Sequence, residues 1–237
     1  MALLIIARKQ QISPPITTIK YGLLYNWWVT QGALIPAAMA AAGWGVPTDA
    51  NFTTLANHLG GAGVGGKLKE MGTTYWYAPN TGAINEVGFN GRGSGGRGTF
   101  IAGGTFERFK TDLFIWSTNG FFRCVYNGSW YALITIDSSG YKAGNSFRLV
   151  RLAVAGDPAA DGSACTPYIG NDGKVYRTVR IGTQVWLADN LAETKWNDGI
   201  TYIQGWNAGG HVVISDVDWA ALLTAAVCVY DNDESNM

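Results

Sequence analysis

The firmest local signal in this sequence is a helix between residues 47 and 61. Thr48 is a good N-cap residue, and Asp49 places a negative charge in the first turn, where the helix dipole favours it. The apolar residues that recur at helical spacing are Phe52, Leu55 and Leu59. Gly60-Gly61 then ends the segment. The stretch predicts a short amphipathic helix, and the rest of the chain must supply the core on which its apolar face packs.

Composition indicates that the rest of the chain is rich in loops and held together by aromatic rings. The 237 residues include 32 glycines and 30 aromatic residues, namely 10 Trp, 11 Tyr and 9 Phe. Apolar residues make up 47% of the sequence, enough for a substantial core, and only 14% are charged. This length allows one large domain or two small ones. We expect a β-rich α+β fold with one or two short helices and long glycine-rich loops.

Charge and hydropathy exclude several classes of protein. The formal net charge is zero, so no electrostatic attraction to nucleic acid or to an anionic membrane is expected. No apolar run approaches the length of a transmembrane helix. The first residues are apolar before they are basic, which is the reverse of a signal peptide. We therefore expect a soluble protein, made without a leader, that neither binds nucleic acid nor inserts into membranes.

Residues 1–20 have the character of an amino-terminal docking arm. Leu3, Leu4, Ile5 and Ile6 form a run of four aliphatic residues that predicts a short strand. Ser13-Pro14-Pro15 then enforces an extended segment. An exposed apolar strand offers its unpaired amides to a partner edge. We expect the arm to dock on another protein, and a disordered tail is the alternative.

Residues 21–153 form the main block of the predicted fold. The segment 21–29 is rich in aromatic residues and predicts a buried strand. The segment 88–104 contains many glycines and predicts a loop, but it lacks the preceding strand, the following helix and the Gly-Lys-Ser/Thr of a phosphate-binding loop. Further strands are predicted at 114–118, 121–126, 130–136 and 145–152, with a hairpin turn at Asn127-Gly128.

A linker and a second block complete the chain. Residues 154–168 are small and turn-rich, which predicts a linker. Residues 169–237 begin with a hairpin whose strands, 174–181 and 184–187, are joined by Gly182-Thr183. A short helix at 218–223 and a strand at 227–230 follow.

Two sets of segments resemble a known family. The first begins Tyr21-Gly22-Leu23-Leu24-Tyr25-Asn26-Trp27 and continues through 46–50, 66–70, 80–89, 116–118 and 147–151. The second covers 172–191, including Ile181-Gly182-Thr183-Gln184-Val185-Trp186, and ends at 228–236. Both are similar to the Fibrobacter succinogenes major paralogous domain. The resemblance implies a C-type-lectin-like fold related to formylglycine-generating enzymes.

The order of the two sets is reversed relative to the family. There the segment like 181–186 comes first, and the end like 230–232 runs into the segment that starts at Tyr21 here. Two hypotheses account for this order. In a circularly permuted single domain, Met237 lies close to Lys20 and residues 154–168 form the new link. In a swapped oligomer, the main block of a neighbouring chain completes residues 169–237. We favour permutation as the simpler case.

The nucleophile and metal signals are weak. Cys124, Cys165 and Cys228 are odd in number and have no CxxC spacing, so we expect buried thiols rather than a disulfide, a zinc site or the reactive cysteine pair of the related oxidases. His58 is predicted to lie on the helix surface, with no partnered nucleophile motif. Asn197 and Asp198 are weak calcium candidates, and turn chemistry explains them as well. We expect neither a catalytic site nor a cofactor.

A binding role remains, because lectin-like folds carry variable loops on a rigid scaffold. The expected face comprises the glycine-rich loop, the turn at Asn119-Gly120 and the hairpin after it. The candidate ligand-binding residues are Arg97, Asn119, Asn127, Ser129, Trp130 and Tyr131. Exposed Trp and Tyr rings stack on sugars and also anchor protein interfaces. Burial of some of these rings in the core is the alternative.

The first functional hypothesis is a non-enzymatic bacteriophage virion protein, a head or tail fibre or decoration protein. Such a protein is made in the host cytoplasm, docks on other virion proteins through its arm, forms a homo-oligomer and binds a host-surface glycan or protein. The resemblance supports it, because phages of gut and rumen bacteria use similar domains. The alternative is a bacterial cell-surface or secreted adhesin that binds carbohydrate, and an enzyme related to the oxidases is a third hypothesis.

Overall fold

Short strands dominate the structure, a computed structural model that describes residues 15–61, 63–98, 103–120, 122–126, 134–136 and 141–237. The helices and strands, in chain order, are β1 (Leu24–Tyr25), α1 (Ala37–Ala41), α2 (Asp49–Leu59), α3 (Gly65–Leu68), β2 (Gly96–Arg97), β3 (Phe106–Glu107), β4 (Asp112–Trp116), β5 (Phe122–Tyr126), β6 (Ile134–Ile136), β7 (Val150–Leu152), β8 (Tyr168–Ile169), β9 (Val175–Tyr176), β10 (Thr178–Ile181), β11 (Gln184–Leu187), β12 (Trp206–Asn207), β13 (Gly210–His211), α4 (Asp216–Ala221) and β14 (Val227–Cys228). Single 3₁₀ turns occur at Trp27–Gln31, Tyr230–Asn232 and Glu234–Asn236.

The architecture is β-rich α+β, as the sequence predicts. The larger sheets are antiparallel and have the orders β10-β11-β7 and β4-β5-β6, and a smaller sheet pairs β1 with β14. The expectation of one or two helices is too low, since the described residues contain four. The additional ones, α1 and α3, have five and four residues. Helix α1 is Ala-Ala-Met-Ala-Ala and helix α3 is Gly-Gly-Lys-Leu. Both are too short to show the periodic apolar face by which a sequence predicts a helix.

Helix α2 has the ends that the sequence predicts. The Asn51 amide donates to the Thr48 hydroxyl at 3.2 Å, and the Thr48 amide donates to Asn51 Oδ1 at 2.8 Å. This reciprocal pair satisfies two amides that the helix itself leaves unpaired. The apolar face of α2 is buried, and Gly60 ends the helix in the left-handed region with φ 112°. The hairpin of the second block is also confirmed, with β10 and β11 paired from Thr178–Leu187 to Ile181–Gln184.

The two blocks pair with each other within one chain. Strand β1 of the main block pairs with β14, and β7 pairs with β11, so both contacts join residues far apart in sequence. The ends also meet, because the Lys20 amide donates to the Met237 carbonyl at 2.9 Å and the Tyr21 amide donates to the Asn236 carbonyl at 3.2 Å. A single chain therefore has the close approach of Lys20 and Met237 that the permutation hypothesis requires.

The last residues of the arm lie against the same chain. The Thr17 amide donates to the Val175 carbonyl at 2.8 Å, and the Val175 amide donates back to the Thr17 hydroxyl at 2.9 Å. The Arg92 guanidinium donates to the carbonyls of Ile19 and Lys20. Residues 17–20 are thus held to the body of the protein. The predicted docking residues Leu3, Leu4, Ile5 and Ile6 lie outside the described residues.

Residues 91–97 of the glycine-rich segment are largely buried, whereas the sequence predicts a loop that belongs to the binding face. Gly91, Gly93 and Gly95 are all buried. A Cβ atom at these positions would lie 2.8 Å from the Leu68 carbonyl oxygen, 2.8 Å from Lys110 Cα and 2.5 Å from the Glu107 carbonyl oxygen, respectively. The glycines are therefore required for close backbone packing. Composition alone does not separate this use of glycine from a flexible loop.

A buried arginine crosses the interface between the two blocks. The Arg148 side chain is fully buried and donates to Asn190 Oδ1 at 2.8 Å and to the Asn90 carbonyl at 2.8 Å. Its guanidinium also lies 4.2 Å from the centre of the Phe89 ring. Burial lowers the pKa of Arg148 to about 9. The Asn190 amide in turn donates to the Tyr21 carbonyl at 2.8 Å, so one polar network connects residues of both blocks.

The N-cap of α2 gives a direct test of this local structure. We expect Thr48→Ala to lower the free energy of unfolding by about 1 kcal/mol, because the Asn51 amide loses the side-chain oxygen that caps it. Urea denaturation followed by circular dichroism measures the change. Thr54→Ala is the matched control, since Thr54 is exposed inside the same helix. Equal stabilities for the two variants would contradict the capping role.

Candidate functional site

A cluster of aromatic side chains lies at the surface where β1 leads into the 3₁₀ turn Trp27–Gln31. The rings of Trp27 and Tyr141 stack with centroids 4.1 Å apart and an interplanar angle of 23°. Trp28 meets the Tyr141 ring edge-on, with a centroid distance of 6.0 Å and an angle of 74°. We call Trp27, Trp28 and Tyr141 the aromatic platform. Stacked and perpendicular ring pairs of this kind hold each other in fixed orientations.

Backbone contacts hold the platform in place. The Trp27 amide donates to the Tyr141 carbonyl at 2.9 Å. The Tyr141 ring also lies against Gly120, where a Cβ atom would come within 2.7 Å of Tyr141 Cε1, so a side chain at that position would displace the ring. Tyr141 is nevertheless 45% exposed. Because one of its faces is stacked on Trp27, the remaining ring surface is available to a ligand.

Uncharged amides border the platform. Asn119 is exposed, directly precedes Gly120, and accepts a hydrogen bond from the Thr118 hydroxyl at 3.2 Å. Gln31 is exposed at the end of the 3₁₀ turn. The ammonium of Lys142 donates to the Ala220 carbonyl at 2.7 Å and is thereby held at the end of α4. Ring faces beside amide groups suit a ligand that has both C–H faces and hydroxyls.

The predicted ligand-binding residues fall into three groups. Asn119 lies at the surface beside the platform. Arg97 lies in the interior, with its side chain fully buried. The others, Asn127, Ser129, Trp130 and Tyr131, lie outside the described residues. The structure therefore brings Asn119 together with rings that the sequence had not assigned to the site, and it places Arg97 away from the surface.

Arg97 connects the glycine-rich segment to the second block. Its Nε donates to the Gly104 carbonyl at 2.7 Å, and its Nη2 donates to the Ile214 carbonyl at 2.6 Å and to Asp216 Oδ1 at 3.1 Å. The guanidinium lies 4.6 Å from the ring centres of both Phe106 and Trp219. Arginine suits such a position because its planar group donates in several directions and stacks on rings. These contacts explain Arg97 as a structural residue.

The calcium candidates form an ordinary turn. Asp198 Oδ1 accepts hydrogen bonds from the amides of Ile200 and Thr201, both at 2.8 Å, and Asp198 Oδ2 accepts from the Thr201 hydroxyl at 2.5 Å. The bond from the Thr201 hydroxyl is the largest of the effects that lower the pKa of Asp198. Asn197 is exposed, and its amide donates to the Ala33 carbonyl at 2.8 Å. The Asp198 oxygens are thus used within the turn itself.

Two of the three thiols lie in protected environments. Cys165 and Cys228 are buried, and Cys124 belongs to β5. Burial raises the pKa of Cys165 above its usual range and that of Cys228 to about 11. A thiol acts as a nucleophile in its ionised form, so both environments disfavour reactivity. His58 is exposed, as predicted, and its Nε2 lies 2.6 Å from Asp161 Oδ2.

A carboxylate is buried near the junction of the blocks. Glu193 is fully buried and accepts hydrogen bonds from the Tyr176 hydroxyl and from the Asn171 amide, both at 2.5 Å. Burial and then the negative charge of Asp172 raise the pKa of Glu193 from 4.5 to about 7. No open cavity among those described is lined by Glu193. We therefore assign it an effect on stability rather than a role in binding.

Among the residues that the structure describes, no group of three or more His, Cys, Asp or Glu side chains is arranged to hold a metal ion. In the same part of the chain, no helix combines the length and the apolar character needed to cross a membrane.

Comparison with known proteins identifies the family. The family model described as the Fibrobacter succinogenes major domain matches residues 9–150, which is more than half of the chain. The chain belongs to this family. The resemblance found in the sequence is thereby confirmed, and the family match contains all three rings of the platform together with Asn119. No curated protein and no solved structure gives a significant match.

The platform was not predicted, because its rings come from two separate segments of the sequence. Trp27 and Trp28 lie in a segment that resembles a buried strand, whereas in the structure the strand stops at Tyr25 and a 3₁₀ turn follows. Tyr141 follows a polar turn and has no neighbouring aromatic residue in sequence. The one available signal was Trp27-Trp28 itself, since adjacent residues of a strand point to opposite faces and cannot both enter one core.

Glu193 makes the stability of the protein depend on pH. The folded state holds its pKa near 7, above the unfolded value of 4.5, so the unfolded state ionises first. Stability contributed by this site is therefore complete below about pH 4.5 and declines as pH rises to about 7, by at most about 3 kcal/mol.

Glu193→Gln isolates this effect, because glutamine does not titrate. We expect the unfolding free energy of the native protein, minus that of the variant, to fall between pH 4.5 and pH 7.5. Chemical denaturation at a series of pH values measures it. A difference that stays constant with pH would contradict the buried, titrating Glu193.

Proposed function

We propose that this protein is a non-enzymatic structural protein of a bacteriophage virion, a head or tail fibre or decoration protein that displays a binding surface for a host glycan. In this proposal the fold is C-type-lectin-like and circularly permuted. Three features support the permutation. The Lys20 amide is hydrogen-bonded to the Met237 carbonyl, β1 pairs with β14, and β7 pairs with β11. A permuted family domain needs contacts of this kind to join its two blocks.

The aromatic platform is the observation that carries the binding role. Tyr141 is held on one face by Trp27 and on one edge by Gly120, but almost half of its surface remains exposed. A ring that is fixed before binding loses little conformational entropy when a ligand stacks on it. Asn119 and Gln31 add neutral hydrogen-bonding groups. Pyranose sugars present both C–H faces and hydroxyls, and they are the ligand class that this combination favours.

The chemistry of the thiols and of His58 supports the proposal that the protein is not an enzyme. The two described thiols are buried with raised pKa values, and His58 is paired with Asp161 at the surface. An oxidase of the related type needs a reactive, accessible thiolate. The virion role is supported by family membership and by the arm, whose final residues are anchored to the body through Thr17 and Arg92.

Glycan binding is tested with variants of the platform. We expect the native protein to bind one class of neutral glycan on an array, and Trp28→Ala or Tyr141→Ala to weaken that binding at least tenfold, about 1.4 kcal/mol, because each removes a stacking surface. Titration of the selected glycan by calorimetry measures the change.

Tyr77→Ala is the matched control for glycan binding. It removes a ring that is 55% exposed in the loop next to Lys110, and it should leave affinity unchanged. Trp130→Ala and Tyr131→Ala test the predicted part of the face that lies outside the described residues. If the native protein binds no glycan on the array, the glycan-binding role is wrong.

The location of the protein tests the virion role separately. We expect the chain in purified phage particles, at a fixed copy number, and loss of particle association when residues 1–12 are deleted. Quantitative mass spectrometry of gradient-purified particles measures both. Recovery in the bacterial envelope instead, with none in particles, would support the alternative of a cell-surface adhesin and contradict the virion role.

A further inference from the structure

An open apolar groove lies beside α4. Its volume is about 520 Å³, and it is lined by Gln204, Val213, Ile214, Asp218, Ala221, Leu222 and Leu223. We call this the α4 groove. Val213 is 61% exposed and Leu223 is 71% exposed, so the aliphatic walls of the groove face solvent. Val217, on the same helix, is 78% exposed. Aliphatic side chains grouped at such exposure mark an interaction site.

The groove is held in a fixed shape. Arg97 donates to the Ile214 carbonyl at 2.6 Å and to Asp216 at 3.1 Å, which fixes the start of α4. Trp219 of α4 is fully buried, and its Nε1 donates to the Lys142 carbonyl at 2.8 Å. A preformed site loses less entropy on binding than one that must order itself.

Charge is segregated between the two ends of the sequence. Residues 196–237 contain six acidic residues and no Lys or Arg: Asp198, Asp216, Asp218, Asp231, Asp233 and Glu234. Residues 1–48 contain three basic residues and no acidic residue: Arg8, Lys9 and Lys20. The zero net charge of the chain therefore hides a basic beginning and an acidic end. The α4 groove belongs to the acidic end, with Asp218 exposed on its wall.

The amino-terminal segment matches this groove in chemistry. Leu3, Leu4, Ile5 and Ile6 provide aliphatic side chains, and Arg8-Lys9 follows directly. An aliphatic groove with an acidic wall is complementary to an aliphatic segment that is followed by basic residues. No other stretch of the sequence combines four consecutive aliphatic residues with adjacent basic residues and no acidic residue nearby.

The described chain enters the body at a different place from the groove. Ile16 and Thr17 line a cavity with Tyr75, Arg92 and Arg177, which shares no residue with the α4 groove. A donor segment at one place on a molecule and its acceptor at another join copies head to tail.

We propose that the α4 groove binds residues 3–9 of a neighbouring copy of this chain. The aliphatic residues 3–6 fill the groove, and Arg8-Lys9 lies against Asp218. The proposal goes beyond the docking role proposed above for residues 1–20, since it gives the arm a neighbouring copy of this chain as its partner and names the surface on which it docks. It does not depend on glycan binding, because the aromatic platform shares no residue with the groove.

The test uses the full chain and two variants that each remove one side of the contact. The arm variant is Leu4→Asp with Ile5→Asp, and the groove variant is Val213→Asp with Leu223→Asp. Light scattering after size-exclusion chromatography should give a multiple of 25.4 kDa for the native protein and 25.4 kDa for each variant alone. An equimolar mixture should give a dimer of twice that mass, because the arm variant keeps an intact groove and the groove variant keeps an intact arm.

Two controls separate this contact from general effects of charge or misfolding. Leu152→Asp with Val154→Asp introduces the same two charges at residues that are 68% and 60% exposed and do not line the groove, and it should assemble as the native protein does. Arg8→Glu with Lys9→Glu should dissociate the assembly, and Asp218→Lys added to that variant should restore it. Circular dichroism melts confirm that each variant is folded.

Three outcomes would overturn the proposal: a native protein that stays at 25.4 kDa, a groove variant that assembles like the native protein, or a mixture that remains monomeric. The monomeric variants should bind glycan with unchanged affinity per chain. A loss of glycan binding by the native protein would therefore count against the proposed function and leave this contact standing.

Discussion

The structure depends on a buried cation that both blocks surround. Among the residues that the structure describes, no carboxylate bonds directly to Arg148, and its guanidinium donates instead to the carbonyls of Phe89, Asn90 and Leu187 and to the amide oxygen of Asn190. An unpaired cation in a protein interior is costly, so each of these acceptors has to be in place at once. Because two of them, Leu187 and Asn190, come from the second block, the main block alone would leave part of the guanidinium without acceptors. The polar network thus makes the two blocks one folding unit.

The same principle operates on the other side of the molecule. Arg97 joins the glycine-rich segment to the start of α4, with Phe106 and Trp219 on its two sides. Both arginines therefore reach from the main block to the residues that follow the linker. Arginine is suited to this task, since its five donors can bond several carbonyls while its flat faces pack against rings.

Local signals in the sequence were sufficient for some elements and not for others. Helix α2 and the β10–β11 hairpin were predictable because a cap, a periodic face or a tight turn lies within a few residues. The burial of residues 91–97 was not, because it follows from the approach of Leu68, Lys110 and Glu107, which no local pattern records. For the candidate site, the predicted turn at Asn119-Gly120 placed Asn119 at the surface. Arg97 was assigned to the ligand-binding face because the glycines around it predicted a loop there. The platform needed Trp27 and Tyr141 to meet across more than a hundred residues.

The hydrogen bond between Lys20 and Met237 has a mechanical consequence. A pull on the arm enters the fold at Thr17 and is shared among the bonds to Val175, to the Arg92 guanidinium and to the Met237 carbonyl before it reaches β1. These bonds have to break before tension reaches β1. Beyond β1, at Trp27, the platform begins. A tethered copy of this fold would thus carry tension through its closed ends, while the ring surface stays in its unloaded geometry.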